Sequence, residues 1–300
     1  MEQIRGFMNM RVFTVLLLAV PALFGQAPSP DALSKAEGLY RHTDYQASLT
    51  LLRESGPAGG PSFGLMGKDA FMLGDYKTAA QAFERALAMD PANAEYALWL
   101  GRSFGRRAET SALFSAKYAA KARAYFEQAV ALDPRNEEAL NDLFDYYLEA
   151  PGFLGGGYDK AEAVAKRIAV RDPAAGHFAQ AQLAERRRQF DTAEEQLSRA
   201  IEMAPRQVGR LLDMARYLAR QGRIQESEAA FDKASQLAPD SPQVGFARAQ
   251  TYIQQKRNLD RAKDLLNRYL RSDLTPGDPP REQAEKLLQE AALLLESSGA

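Results

Sequence analysis

Cysteine is missing from all 300 residues of this chain, which excludes disulfides, thiol nucleophiles and thiolate metal sites together. Histidine is nearly missing as well. Only His42 and His177 occur, too few for a multi-histidine metal centre. Neither sign of charge is in excess: 38 Lys and Arg stand against 39 Asp and Glu, and the net charge is −1. No general attraction to nucleic acid or to an acidic membrane follows from that balance. A long apolar run is also lacking. The stretch from Val12 to Val20 falls short of the roughly 20 residues that a membrane-spanning helix needs.

That stretch has a different meaning. Arg5 and Arg11 precede it, Pro21 breaks it, and Gly25-Gln26-Ala27 follows with small residues two apart. Charge, apolar segment and small-residue site in this order are the signature of a secretory signal peptide, here residues 1–27 with cleavage after Ala27. An uncleaved N-terminal anchor is the alternative, and only that alternative brings the chain into contact with a membrane. No cysteine follows the apolar segment, so a lipid anchor is not supported. Export without disulfides suits a bacterial periplasm. Pro28-Ser29-Pro30 then reads as a linker.

Beyond the linker the chain repeats. Helical patterns end at Asp90-Pro91, Asp133-Pro134, Asp172-Pro173, Ala204-Pro205 and Ala238-Pro239, and the last two prolines are 34 residues apart. Within one period, Phe63, Met66, Gly67 and Ala70 fall at helical spacing, Gly74-Asp75-Tyr76 makes a turn, and Ala79, Phe83 and Ala86 form a second stripe. Two antiparallel helices with a tight link are expected, with Gly67 and Ala79 small because the helices cross closely there. A fixed period in this range marks an array whose units bury their apolar faces only by stacking on neighbours. Two spacings are long: Pro91 to Pro134 is 43 residues and Pro134 to Pro173 is 39. The first excess predicts longer helices or a longer link around Arg106 to Lys117. The second contains Phe153-Leu154-Gly155-Gly156-Gly157, expected to be a helix link with Phe153 and Leu154 tucked onto the stack.

These residues resemble the tetratricopeptide repeat, whose pattern runs large residue, Leu-Gly, Tyr, then Ala, aromatic, Ala and Pro. Phe63, Met66-Gly67, Ala79, Phe83, Ala86 and Pro91 match it, as do Leu100-Gly101, Phe104, Ala122, Phe126, Ala129 and Pro134. Weaker copies continue through Tyr269, and Ala36, Leu39, Tyr45, Ser48 and Leu52 look like a degenerate opening unit. The resemblance covers about residues 31 to 275 and implies an all-α solenoid, a right-handed superhelix of stacked helix pairs. The division is then residues 28–60 for the linker and degenerate first pair, 61–275 for about six repeats, and 276–300 for a capping helix and tail. In such a family the first helices line a concave face. Its inner positions fall here on Lys68, Arg102, Arg106, Asn141, Phe178, Arg186, Arg216, Arg220 and Phe246. That mixture of cations and exposed apolar groups suits an extended peptide or partner helix. The lysine–asparagine clamp of chaperone-tail-binding relatives is not reproduced by Gly64, Lys68 and Asn141.

No catalytic site is legible. The triple glycine lacks a following Gly-Lys-Ser/Thr and follows a helix rather than a strand, so it is not a phosphate loop. His42 sits at a helix end, where the dipole favours it, and His177 takes a core position. Asp133, Asp142 and Asp145 read as helix-surface acids. The expectation is a non-catalytic scaffold for a protein or peptide partner in the cell envelope. It needs no cofactor, no metal, no nucleic acid and no small-molecule substrate. An envelope-assembly or transport accessory held by an uncleaved N-terminus is the alternative.

Overall fold

The computed structural model describes residues 30–57 and 59–298. The expected signal segment lies outside them. The described residues form fifteen α-helices. The first is α1 (Pro30–Arg41), followed by α2 (Tyr45–Ser55), α3 (Gly60–Met72), α4 (Tyr76–Met89), α5 (Ala94–Thr110), α6 (Ser115–Leu132), α7 (Glu137–Glu149) and α8 (Tyr158–Arg171). Then come α9 (Pro173–Arg186), α10 (Phe190–Met203), α11 (Val208–Arg220), α12 (Ile224–Leu237), α13 (Pro242–Gln254), α14 (Leu259–Arg271) and α15 (Arg281–Ser298). From α1 to α14 each odd helix packs on the even helix after it, and each pair packs on the next, so the described residues form an all-α solenoid of stacked helical hairpins closed by α15.

Local chemistry sets the hairpins. Five tight links turn through a residue with positive φ, Thr43, Gly74, Arg188, Gly222 and Lys256, the last three at intervals of 34 residues, and the last link has a second in Asn258. There the backbone N–H five residues on returns to the helix, as from Asp75 to the Ala70 carbonyl and from Arg223 to the Leu218 carbonyl, both 2.9 Å. These are left-handed helix stops that satisfy the last carbonyls. Asp44, Asp75, Asn93, Asn136 and Asp172 then cap the following helices through their side chains. Asp172 serves twice, ending α8 and capping α9, with Pro173 at the first helical position.

Packing explains the small residues. A Cβ on Gly67 would lie 2.6–2.8 Å from three atoms of the Phe83 ring, and one on Gly101 would lie 2.7 Å from the Phe126 ring. In these two pairs the first helix thus leaves room for an aromatic of the second. Phe83 is fully buried and stacks on Trp99 of the next pair, centroids 6.0 Å apart. The first long spacing, Pro91 to Pro134, is taken up by helix length: α5 has 17 residues and α6 has 18. The glycine-rich link forms a short 3-10 turn, Gly152–Leu154, pinned where Tyr146 Oη and Arg123 Nη1 donate to the Leu154 carbonyl. Phe153 does not tuck onto the stack. It is 83% exposed, because those bonds hold the turn by its backbone and Leu154 while the Phe153 side chain faces water.

The C-terminal helix does more than cover an end. Ala284 and Ala291 of α15 are buried with Phe246 of α13 and Tyr269 of α14 in one core. Phe246 is 3% exposed and packs on the Tyr269 ring, so its expected place on an open inner face is wrong: the cap and α14 enclose it. The start of α15 also reaches the opposite end of the array. The Glu282 carboxylate lies against the Gly74 turn, and Asp278 and Arg281 act electrostatically on Tyr45 of α2. The solenoid therefore curves until its cap faces its first two hairpins.

Between α2 and α3, Asp69 is fully buried. Ser48 Oγ donates to its Oδ2 at 2.7 Å, while Oδ1 has no hydrogen-bond partner among the described residues. Burial, reinforced by Asp44 against the pull of the Ser48 hydroxyl, pushes the Asp69 carboxyl up to about 7. The cost of ionising it is absent below pH ~4, where folded and unfolded chains are both protonated. It grows between ~4 and about 7, as the unfolded chain ionises first, and is complete above that. Stability should fall across that window, and Asp69→Asn should flatten the fall. Thermal melts from pH 4 to 8 check this, and an unchanged slope in the variant would refute it.

Candidate functional site

The first helices of successive pairs line an inner cleft that holds two adjoining cavities. Its upper part, a cavity of about 570 Å³, lies between α5 and α7. Phe71, Trp99, Tyr146, Pro151 and Leu154 wall it with apolar surface, and Arg102, Arg106, Glu109, Asp142, Asp145 and Glu149 supply charge. Helical periodicity puts them together: Trp99, Arg102 and Arg106 are one stripe of α5, and Asp142, Asp145 and Glu149 are the matching stripe of α7. Phe71 meets the Trp99 ring edge-on at 5.2 Å, and the Arg102 guanidinium covers Trp99 at 4.9 Å.

The lower part, about 630 Å³, lies between α9 and α11. Phe178, Gln182, Glu185 and Arg186 of α9 face Asp213, Arg216, Tyr217 and Arg220 of α11, with Arg188 at the rim. An ion pair between Arg186 and Glu149 joins the two parts. Tyr217 is fixed by donating its hydroxyl to the Phe190 carbonyl at 2.7 Å.

Charges in the cleft pair largely with each other. Arg102 reaches Asp142 at 2.5 Å and Glu138 at 2.9 Å, and Arg106 reaches Glu109 at 2.5 Å. Arg220 grips both oxygens of Glu185 at 2.8 Å, and Asp213 sits between Arg210 at 3.4 Å and Arg216 at 3.5 Å. Only the Arg106–Glu109 pair is exposed on both sides, where it contributes little stability; the others are half-buried on at least one side, and together they set the local field. Burial raises Asp142 above the ordinary range despite Arg102, and it pushes Asp213 up to about 6 despite Arg216 and Arg210. Asp145 reaches water but is enclosed by the cleft walls. That enclosure first, then the neighbouring Asp142 and Glu149 carboxylates, pushes it up to about 7. Burial, with Arg220 beside it, lowers Arg216.

Six of the nine residues picked out from sequence meet here: Arg102 and Arg106 in the upper part, Phe178, Arg186, Arg216 and Arg220 in the lower. Lys68 stands beside it, paired with Glu95 at 2.5 Å and 5.8 Å from the Trp99 ring centroid. Asn141 lines a separate cavity with Arg171 and Arg210, and Phe246 is in the core. Sequence reasoning missed Trp99, Asp142 and Asp213, and Asp142 is a half-buried ion-pair partner rather than a plain surface acid. A signal was present. Trp99, Asp142 and Asp213 each stand two residues before the close-packed position of their unit, Gly101, Phe144 and Ala215.

Neither histidine enters the cleft. His42 is exposed at the end of α1, and His177 Nδ1 lies 2.7 Å from Gln196 Oε1. Among the described residues no three His, Cys, Asp or Glu side chains gather to hold a metal ion. What the cleft offers is a long surface with aromatic walls and arginine–carboxylate pairs, suited to reversible binding of a chain.

Tetratricopeptide repeat profiles match residues 65–113, 111–136 and 218–278. Among solved structures, a tetratricopeptide repeat protein from Parabacteroides merdae is similar at a TM-score of 0.57 and 16% identity, over 87% of this chain and 98% of that one. A thermophilic tetratricopeptide repeat protein from Thermus thermophilus is similar at a TM-score of 0.51 and 21% identity, over 63% of this chain and 97% of that one. At these identities the likeness concerns the fold. No curated protein matches the chain. Matching profiles, stacked hairpins of the same kind and the recurring small–aromatic contacts agree: residues 65–136 and 218–278 are tetratricopeptide repeats, set in an array of the same fold.

Proposed function

We propose that this chain is a non-catalytic interaction scaffold that holds an extended segment of a partner protein along its inner cleft, in the cell envelope. One observation carries the reading. Two cavities of about 570 and 630 Å³, lined largely by the first helices of neighbouring hairpins, adjoin at the Arg186–Glu149 pair. A surface of this length with half-buried aromatics exceeds what a single small molecule covers, and it matches the side-chain-by-side-chain reading of an extended peptide. Envelope location rests on the order of Arg5, Arg11, the apolar segment and Gly25-Gln26-Ala27.

A photo-crosslinking amino acid placed at Phe178, inside the cleft, should trap a partner in the native envelope. The same group at Val170, 86% exposed on α8 and outside both cavities, should trap none. Equal yields at the two positions would refute the cleft as the binding face. N-terminal sequencing of the trapped chain decides the rest: a start near Pro28 in the soluble fraction supports export, and an intact N-terminus supports the anchored accessory protein.

A further inference from the structure

The cleft is electrically divided. Its upper part is lined by two arginines against four carboxylates, its lower part by four arginines against two. Most of these charges are already matched: Arg102 with Asp142, Arg106 with Glu109, Arg186 with Glu149, Arg216 with Asp213 and Arg220 with Glu185. Two remain. Among the described residues, the Asp145 side chain in the upper cavity has no ion pair or hydrogen bond, and Arg188 at the rim of the lower one has no carboxylate partner. They are opposite in sign and lie in opposite halves.

We propose that the cleft selects a partner segment carrying a lysine or arginine, received in the upper cavity by Asp145, and an aspartate or glutamate further along, received by Arg188. This rests on the cleft being the binding face and adds the partner's chemistry and direction. The upper cavity fits a basic side chain in both of its characters. Trp99, Tyr146 and Leu154 give its methylene stem an apolar wall, and the cationic head meets the one carboxylate there that lacks a partner among the described residues. Arg102 and Arg106 do not fill that need, because each is held by its own acids. A neutral or acidic side chain in the same place would leave Asp145 beside Asp142 and Glu149 with their repulsion unrelieved. Because the two unmatched charges lie in different halves, a segment with its charges in reverse order would place like against like at both sites. Polarity along the cleft thus sets the direction in which a segment lies.

The test uses the full chain and a library of synthetic peptides with acetylated and amidated ends, so that terminal charges do not contribute. Wild-type protein should select peptides with a basic and an acidic residue at a fixed separation. Asp145→Asn should lose the basic preference, weaken the selected peptide about ten-fold in fluorescence anisotropy and keep the acidic preference. Arg188→Gln should do the converse. Binding of the selected peptide to wild type should strengthen from pH 6 to 8 as Asp145 ionises, with Asp142, Glu149, Arg102, Arg106, Glu109 and Arg186 around it, and Asp145→Asn should not follow. The Asp145→Asn change breaks no ion pair, so the variant should fold, and a thermal melt checks that. Selected peptides without a basic preference, or a preference that survives Asp145→Asn, overturn this inference and leave the cleft as binding face intact. Selection of no peptide by the folded wild type overturns both.

Discussion

Phe83→Ala should lower stability by about 3–5 kcal/mol in urea unfolding, the range for removing a fully buried phenylalanine. The ring fills the space between the α3–α4 hairpin and α5, with Gly67 on one side and Trp99 stacked on the other. Neither neighbour can close the gap, because Gly67 has no side chain to extend and Trp99 is already held by Phe71 and Arg102. The reverse change tests the same contact. Gly67→Ala would put a methyl group 2.6 Å from Phe83 Cε2, an overlap costing about 1–3 kcal/mol against a helix-propensity gain of roughly 1. In a Phe83→Leu background Gly67→Ala should cost less or stabilise. Purely additive effects would show that the pair does not interact. Trp99 is the sole tryptophan, so its emission reports the event directly. Because each unit is supported by its neighbours, Phe83→Ala should unfold the first hairpins ahead of the rest and broaden the transition.

Arg248→Met should cost about 3 kcal/mol or more, through loss of charge rather than volume. Arg248 is 7% exposed between α12 and α13. Its Nε donates to Glu228 at 3.0 Å and to the Tyr252 hydroxyl at 2.8 Å, and its Nη1 donates to Asp232 at 2.8 Å. Tyr252 donates in turn to Glu228 at 2.8 Å, and Arg257 stands 2.9 Å from the same carboxylate. Burial alone would raise the Glu228 carboxyl, but hydrogen bonds from Arg248, Tyr252 and Arg257 hold it below its ordinary value. Without Arg248 the carboxylate keeps its burial and loses its main compensation. Adding Glu228→Gln should therefore recover at least half of the loss. A double variant no more stable than Arg248→Met alone would show that packing, not the stranded charge, sets the effect.

Much of the architecture was readable from residue types at a fixed spacing. The prolines and the small–aromatic alternation of Gly67 with Phe83 and Gly101 with Phe126 specify hairpins that must stack, since no unit can bury its stripe alone. Periodicity also placed Arg102, Arg106, Phe178, Arg186, Arg216 and Arg220 on the inner side, because a first helix shows the same face in every unit. Spacing is a local property, and it goes no further than the unit and its immediate neighbours.

What lies beyond was decided by distant parts of the chain meeting. Phe246 has an inner-face position by count, yet α14 and α15 cover it. Asp142 counts as a surface acid, yet Arg102, 40 residues earlier, draws it into a pair. Asp145 and Arg188 become the unmatched charges only once every other cleft carboxylate and guanidinium has found its partner, three of the five pairs being made between different helices. Contact of α15 with the Gly74 turn likewise depends on the summed curvature of seven hairpins. The repeat period encodes how one unit packs on the next. Which charges are cancelled and which side chains stay open are properties of the whole array, because they depend on the small rotation added at each step.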